Sequence, residues 1–167
     1  MANYTLKYMA RRDLEQAIDW AAAEGWNPGL HDADCFYAAD PEGFLMGWLD
    51  DEPIAAISVG KYGTSFGFLG FYLVKPAFRG QGYGWQIWQA GLNSLQNRTI
   101  GLDGVVDQQS NYLKSGFQLA YRNVRYEGWG EAAPVSGPAD QVVPLANVPL
   151  PLVIEYYLHW FTVELSA

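Results

Sequence analysis

Apolar and polar positions change period several times along the chain, and each change predicts an element. Tyr4 to Met9 alternate well enough for a first strand. Leu14, Ala17, Ile18 and Ala21 then recur at helical spacing, with Asp13 placed as N-cap and the end near Gly25. Glu24-Gly25-Trp26-Asn27-Pro28-Gly29 cannot continue that helix, so a second short one, roughly Leu30 to Ala38, starts beyond it. After the turn Asp40-Pro41-Glu42-Gly43 come two strands, Phe44 to Leu49 and Ile54 to Gly60, joined as a hairpin by Asp50-Asp51-Glu52-Pro53. Another strand, Phe66 to Val74, is rich in aromatic and apolar residues and is ended by Pro76, which cannot donate to a ladder. Connections this short favour antiparallel pairing.

The second half is organised around a glycine-rich turn. Trp85, Trp88, Leu92 and Leu95 share one face of a helix that opens straight after it, and an apolar run from Thr99 to Leu102, ending at Asp103, reads as the next strand. Asn111-Tyr112-Leu113-Lys114-Ser115-Gly116-Phe117 reads as a short helix stopped by Gly116, with a further strand beginning at Phe117. Near Gly130 the composition shifts to Pro, Ala and Val. The expected organisation is one domain over residues 1–130, a proline-rich linker or arm over 131–151, and an aromatic segment over 152–167. Periodicity leaves helix and strand both open for that segment. It needs a surface to bury itself on: its own sheet, the preferred choice, or a second copy of the chain in a homodimer.

Composition narrows the function classes. A chain of 167 residues, half of them apolar, can bury a core as one domain of ordinary size. A single cysteine, Cys35, forbids an internal disulfide and offers no metal cluster, and no apolar run reaches the ~18 residues of a membrane span. A cytoplasmic location is the expectation that follows. The net charge of −8 argues against nucleic acid and anionic membranes as partners. Its distribution is uneven: Asp13 to Gly60 hold eleven acidic residues and neither Lys nor Arg, whereas Lys61, Lys75, Arg79, Arg98, Lys114, Arg122 and Arg125 all come later. Such a run is either a solvated face or one side of a molecule that meets a cation with its first third and an anion with its middle.

The anion site is read from Arg79-Gly80-Gln81-Gly82-Tyr83-Gly84. Alternate glycines let the main chain approach a ligand closely, and the free N–H groups of the helix's first turn carry partial positive charge that suits a diphosphate. Arg79 adds a full charge. Tight packing alone is one alternative reading. A dinucleotide site is another, with Asp103 about 20 residues on, but Trp85 stands where its third glycine belongs and no second βαβ half follows.

Val74-Lys75-Pro76-Ala77-Phe78-Arg79-Gly80-Gln81-Gly82-Tyr83-Gly84 resembles the acetyl-CoA-binding motif of the GCN5-related N-acetyltransferases, and Tyr112 to Phe117 resembles the family's Tyr-x-x-x-Gly-Phe element. The predicted order of elements is also the family's, so the resemblance covers about Tyr4 to Gly128. EGWNPGLHDAD, GLDGV and SGFQLAYRNVRYEG are similar to a bacterial subgroup that often carries a second, smaller domain, largely missing here.

The resemblance implies an α/β (α+β) acyl-CoA N-acyltransferase fold, with a mixed, mostly antiparallel central sheet flanked by helices and splayed at the cofactor strand. It implies acetyl-CoA as cofactor, a small-molecule amine as acceptor, and direct attack in a ternary complex. The amides of Arg79, Gly80, Gln81, Gly82, Tyr83 and Gly84 would hold the diphosphate, and the backbone of Leu73, Val74 and Lys75 would pair with the pantetheine arm. An amide of Tyr72 or Leu73 would polarise the thioester oxygen, and Tyr112 would protonate the leaving thiolate. The family's asparagine seven residues before this tyrosine is Val105 here, which removes one expected cofactor contact. The strand Phe66 to Val74 lacks the glutamate that many relatives use as base, so Asp103 and His31 are the candidates to take the amine proton, or a water chain does so. Two rival readings remain open: a non-catalytic acyl-CoA-binding domain and a dinucleotide-binding oxidoreductase.

Overall fold

The computed structural model describes residues 2–124, 126, 128–129 and 143–161, in two compact units, Met1–Gln118 and Leu119–Ala167. The first holds β1 (Tyr4–Tyr8), α1 (Arg11–Ala23), α2 (Asp32–Ala39), β2 (Phe44–Leu49), β3 (Glu52–Tyr62), β4 (Phe66–Val74), α3 (Tyr83–Ser94), β5 (Thr99–Leu102) and α4 (Gln109–Lys114). One sheet runs in the order β1-β2-β3-β4-β5. Its first three pairings are antiparallel and β4–β5 is parallel, so the sheet is mixed as expected.

Helices cover both faces because the strands carry apolar side chains on both. On one face Ile57, Val59 and Leu69 pack with Ile87, Trp88 and Leu95 from α3 and its end. On the other, Phe44, Met46 and Ala56 pack with Met9, Leu14, Ala17 and Ala33, under α1 and α2. Each large aliphatic side chain buried this way contributes about 1.5–3 kcal/mol. Gly91 lets α3 lie hard against β3, since a Cβ there would stand 2.8 Å from Ile57 Cδ1.

Several expectations need correction. The helix α1 is capped by Ala10, and Asp13 sits one turn inside, where its carboxylate accepts the Ala10 N–H at 2.8 Å. Asp13 therefore satisfies an end donor from within the first turn, as an acid at the third helical position can. Leu30 is 97% exposed and precedes α2, which begins at Asp32. The hairpin turn is tighter than predicted: β3 already starts at Glu52, and Asp50 adopts a left-handed φ of 53°. Trp85 does not share the buried face of α3; it is 59% exposed, and Ile87 and Gly91 take its place. Finally, residues 117–124 form no strand. Leu119 and Tyr121 alternate with polar residues as a half-buried strand would, but they remain exposed, because alternation does not supply a partner edge.

In the second unit Leu150–Phe161 forms α5, preceded by a 3-10 turn at Leu145–Asn147. The helix-or-strand alternative left open for the aromatic tail is thus settled as helix over these residues, and they add no strand to the sheet. Among the described residues no helix is long and apolar enough to cross a membrane.

Candidate functional site

The site starts from a defect in β4. Leu73 pairs with Ala56 and Gly70 with Ser58, so Ile57 alone opposes both Phe71 and Tyr72. This is a β-bulge, and Phe71 takes a left-handed φ of 46° to make it, a conformation that costs a non-glycine residue about 1–3 kcal/mol. Its consequence is a change of face. Leu69, before the bulge, belongs to the core under α3, and Tyr72 and Val74, after it, pack against that same core. Phe71 instead meets Trp26 from the α1–α2 connection, ring centroids 6.5 Å apart and 77° between planes.

The same stretch lacks a neighbour on its far edge. β5 pairs with β4 from Phe66↔Thr99 to Leu69↔Leu102, so among the described residues no strand pairs with Gly70 to Val74 there. The Lys75 N–H bonds Ile54 O at 2.9 Å toward β3; backbone alternation then turns the main-chain groups of Val74 and Tyr72 toward the open edge. Val74 O accepts a hydrogen bond from Arg79 Nε at 2.8 Å. Asp103, directly after β5, lies level with the first unpaired residues of β4 and is exposed.

At the end of β4 the chain makes a 3-10 turn at Pro76–Phe78 and enters α3 through Gly80 and Gly82, at φ 74° and 88°. Gly82 is the N-cap, and the first helical bond runs from Gln86 N–H to Gly82 O at 3.2 Å. The amides of Tyr83, Gly84 and Trp85 thus lack intrahelical acceptors and carry the positive end of the helix dipole. Gly84 is required for another reason: a Cβ there would stand 2.8 Å from the Tyr72 hydroxyl. Tyr4 braces this turn, its hydroxyl donating to Tyr83 O at 3.3 Å. Burial, with the neighbouring phenols of Tyr72 and Tyr83, pushes the Tyr4 pKa up to about 12. Gly47 makes room for it, because a Cβ at that position would lie 2.0 Å from the Tyr4 oxygen.

The cations around the loop already have partners. Besides Val74 O, Arg79 pairs with Glu24 at the end of α1. Lys75 pairs with Glu52 and lies over the rings of Trp20 and Phe78, at 6.0 and 5.8 Å. The Gln81 side chain donates to Ala77 O at 2.9 Å. What the loop offers an anion without exchange of partners is therefore its main-chain amides.

Tyr112 is held by Trp88. This indole, 4% exposed, stacks at 5.1 Å on Tyr72, at 5.8 Å on Tyr112 and at 5.8 Å on Phe117, and donates to Ser115 Oγ at 3.2 Å. The Tyr-x-x-x-Gly-Phe element turns out to be a helix stop. Phe117 N–H bonds Tyr112 O at 3.2 Å and Gly116 N–H bonds Leu113 O at 3.0 Å, with Gly116 at φ 90°. These two bonds define the Schellman motif, whose accompanying apolar contact is here made by Tyr112 and Phe117 meeting on Trp88. Burial raises the Tyr112 pKa, opposed by a hydrogen bond from the Val105 backbone; Tyr72 is raised by burial and by the nearby Tyr112. The phenol is therefore protonated at neutral pH.

Of the residues expected at the site, Tyr72 to Lys75, Arg79 to Gly84 and Tyr112 are brought together around the open edge of β4, and Asp103 lies at its mouth. His31 is the exposed N-cap residue of α2, on the α1 side of the sheet, and its side chain does not cap the helix. Trp88, Tyr4, Phe71 and Trp26 were not among the expected residues. Trp88 reads from its spacing as ordinary core, and nothing in an unbroken apolar strand announces the bulge that turns Phe71.

Comparison with known proteins bears on the fold and the family. Residues 9–117 match the acetyltransferase (GNAT) family. Holothin acyltransferase of Pseudoalteromonas sp. (strain SANK 73390) is 38% identical over 125 residues, 75% of this chain, which spans 42% of that protein's length. Among solved structures, Ard1 from Thermoplasma volcanium superposes with a TM-score of 0.62 at 20% identity, over 71% of this chain and 84% of its own. N-acetylglutamate synthase from Neisseria gonorrhoeae, complexed with coenzyme A and N-acetyl-glutamate, gives 0.60 at 13% identity, over 72% and 30%. These two likenesses show the acyl-CoA N-acyltransferase fold, and with the match over residues 9–117 the chain belongs to the GNAT acetyltransferase family.

Proposed function

We propose that the chain transfers an acetyl group from acetyl-CoA to the primary amine of a small cationic acceptor, by direct attack in a ternary complex. The observation that supports this reading is the stretch Gly70 to Val74, unpaired among the described residues, with a glycine cradle at one end and the half-buried phenol of Tyr112 beside it. Coenzyme A fits this shape: an extended arm can complete the missing ladder, and its diphosphate meets main-chain amides where no Cβ intervenes. When bound, acetyl-CoA supplies an activated acyl carbon and a thiolate leaving group.

The chain's own groups then divide the work. Amides of Arg79 to Gly84 bind the diphosphate, and the backbone of Leu73 to Lys75 orients the arm. The Tyr72 amide, which alternation turns to the open edge while that of Leu73 turns to β3, donates to the acyl oxygen, where negative charge develops. Tyr112 holds its proton ready for the sulfur. Asp103 takes the proton of the amine, directly or through water; His31 is the alternative. The acceptor arrives as an ammonium ion, and the net charge of −8 favours its approach. The resemblance to an acyltransferase supports the reaction class.

Thermal unfolding with acetyl-CoA, free CoA and NAD at matched concentrations tests the cofactor, and thiol release with a panel of amines tests the reaction. Protection by both CoA species and none by NAD is expected, since only a ligand that binds the native state raises its melting temperature. Protection without thiol release from any amine would reduce the reading to a CoA-binding domain. Protection by NAD alone would overturn it.

A further inference from the structure

We propose that Trp26 and Phe71 determine acceptor specificity, and that the acceptor carries its amine on a flat apolar ring, as arylalkylamines do; this rests on the transferase reading above. The bulge divides the surroundings of the open edge. On the α3 side Tyr72, Trp88 and Tyr112 fill the space with stacked rings, and Trp88 is 4% exposed. An acceptor therefore reaches that edge from the other side, where Phe71 projects.

On that side the two rings stand edge to face, 77° apart, and both are only half-buried. Two rings at nearly a right angle form a corner that takes the face of a third ring on one wall and its edge on the other, the two arrangements aromatic groups prefer. Neither wall is loosely placed. Trp26 N–H bonds Ala21 O at 3.0 Å and Gly25 N–H bonds Ala22 O at 2.9 Å, with Gly25 at φ 78°. This is a second Schellman stop, at the end of α1, and Trp26 occupies the position just after its left-handed glycine. Phe71 is held by the bulge in a left-handed conformation that glycine or asparagine would adopt at lower cost. A bulky ring kept at such a position points to use of the ring. Nor does a spare carboxylate from Glu24 compete for a polycation here, because Glu24 is paired with Arg79.

The test compares kcat/KM for tyramine and tryptamine with that for cadaverine, ethanolamine and lysine, in the wild type, Trp26→Ala and Trp26→Phe. The arylalkylamines are expected to be preferred by about tenfold or more in the wild type. That ratio should collapse toward one in Trp26→Ala, mainly through KM, and return in Trp26→Phe, which keeps a ring and guards against loss of fold. Equal efficiencies in the wild type, or a ratio unmoved by Trp26→Ala, would overturn the proposal. Should no amine release thiol, calorimetry of tyramine binding to the CoA-loaded protein decides. Binding that Trp26→Ala abolishes supports the ring site while the transferase reading falls, and absence of binding sinks the ring site itself.

Discussion

Tyr112 has its environment set by three neighbours: the indole of Trp88 behind it, the Val105 backbone at its oxygen, and a helix that stops directly after its turn. Tyr112→Phe keeps the ring packing and removes the hydroxyl, with its proton and its hydrogen bond from the Val105 backbone, so kcat should fall about 100-fold with only a small change in melting temperature. The pH profile is a second check. Burial raises the phenol's pKa above its ordinary value, so the acid is competent through the neutral range and its activity is lost only as pH rises through that raised value. The alkaline limb should be absent in Tyr112→Phe. Tyr4 makes the corresponding prediction for stability. Its folded pKa is raised to about 12, above its unfolded value of 10.0, so its contribution is fully present below pH 10 and lost as pH approaches 12. Tyr4→Phe should flatten that part of a pH series of melting temperatures. Glu24 offers a test of a different kind. Arg79 is paired with Glu24, which competes with the diphosphate of the proposed cofactor; Glu24→Gln frees the guanidinium and should tighten CoA binding by about two- to fivefold in calorimetry, the modest gain expected of an exposed ion pair.

Elements whose signal is local were legible from the sequence, and elements whose signal is relational were not. The strands β2, β4 and β5 and the helix α3 lie where alternation, apolar runs and glycine punctuation place them; Arg79–Gly84 leads into α3, and Tyr112–Phe117 spans the end of α4. The bulge in β4 was invisible because its residues, Phe71 and Tyr72, are as good strand formers as their neighbours; only the pairing with β3 reveals that one residue is extra. Trp85 was assigned to the buried face because its spacing fits, yet α3 presents Ile87 and Gly91 to β3, where close approach matters more than size. The strand expected after Gly116 failed on a similar point, since a strand pattern does not say which edge will receive it. What Gly116 does is testable by itself. An added Cβ meets nothing within 4 Å, so Gly116→Ala pays only for its φ of 90°, about 1 kcal/mol. The same change loosens the stop that places Tyr112, and kcat should drop while KM for acetyl-CoA stays within about twofold, since the proposed diphosphate site lies at another helix.

For the molecule as a whole, charge is the property that the individual contacts do not explain. Asp34, Glu24 and Glu52 of the acidic first third are paired with Arg11, Arg79 and Lys75, and Asp32 and Asp50 accept backbone N–H groups of Gly29 and Asn3. Much of the run thus serves the fold, and what remains is the net field of −8 charges. Such a field acts at long range and is screened within about 8 Å at physiological ionic strength. For an ammonium acceptor, kcat/KM should therefore decline steadily from 20 to about 300 mM salt while kcat holds, and a neutral acceptor should show no decline. Beyond residue 118, proline, alanine and valine favour no single period, so the sequence left helix and strand both open for the aromatic segment; Leu150–Phe161 is helical, and residues 162–167 lie outside the described ones.

The two helix stops beside β4 have one further consequence. In each, the turn is fixed by main-chain hydrogen bonds and a left-handed glycine, and the aromatic residue that follows is an attachment to that frame. Residue 26 can accordingly be exchanged without rebuilding the end of α1, whereas the ring at Phe117 is tied through Trp88 to Tyr112, the proposed proton donor. One ring is replaceable and the other is not. A chain built this way can shift its acceptor range by single substitutions while its treatment of the thioester stays constant, and variation among close homologues should gather at position 26 and spare positions 112, 116 and 117.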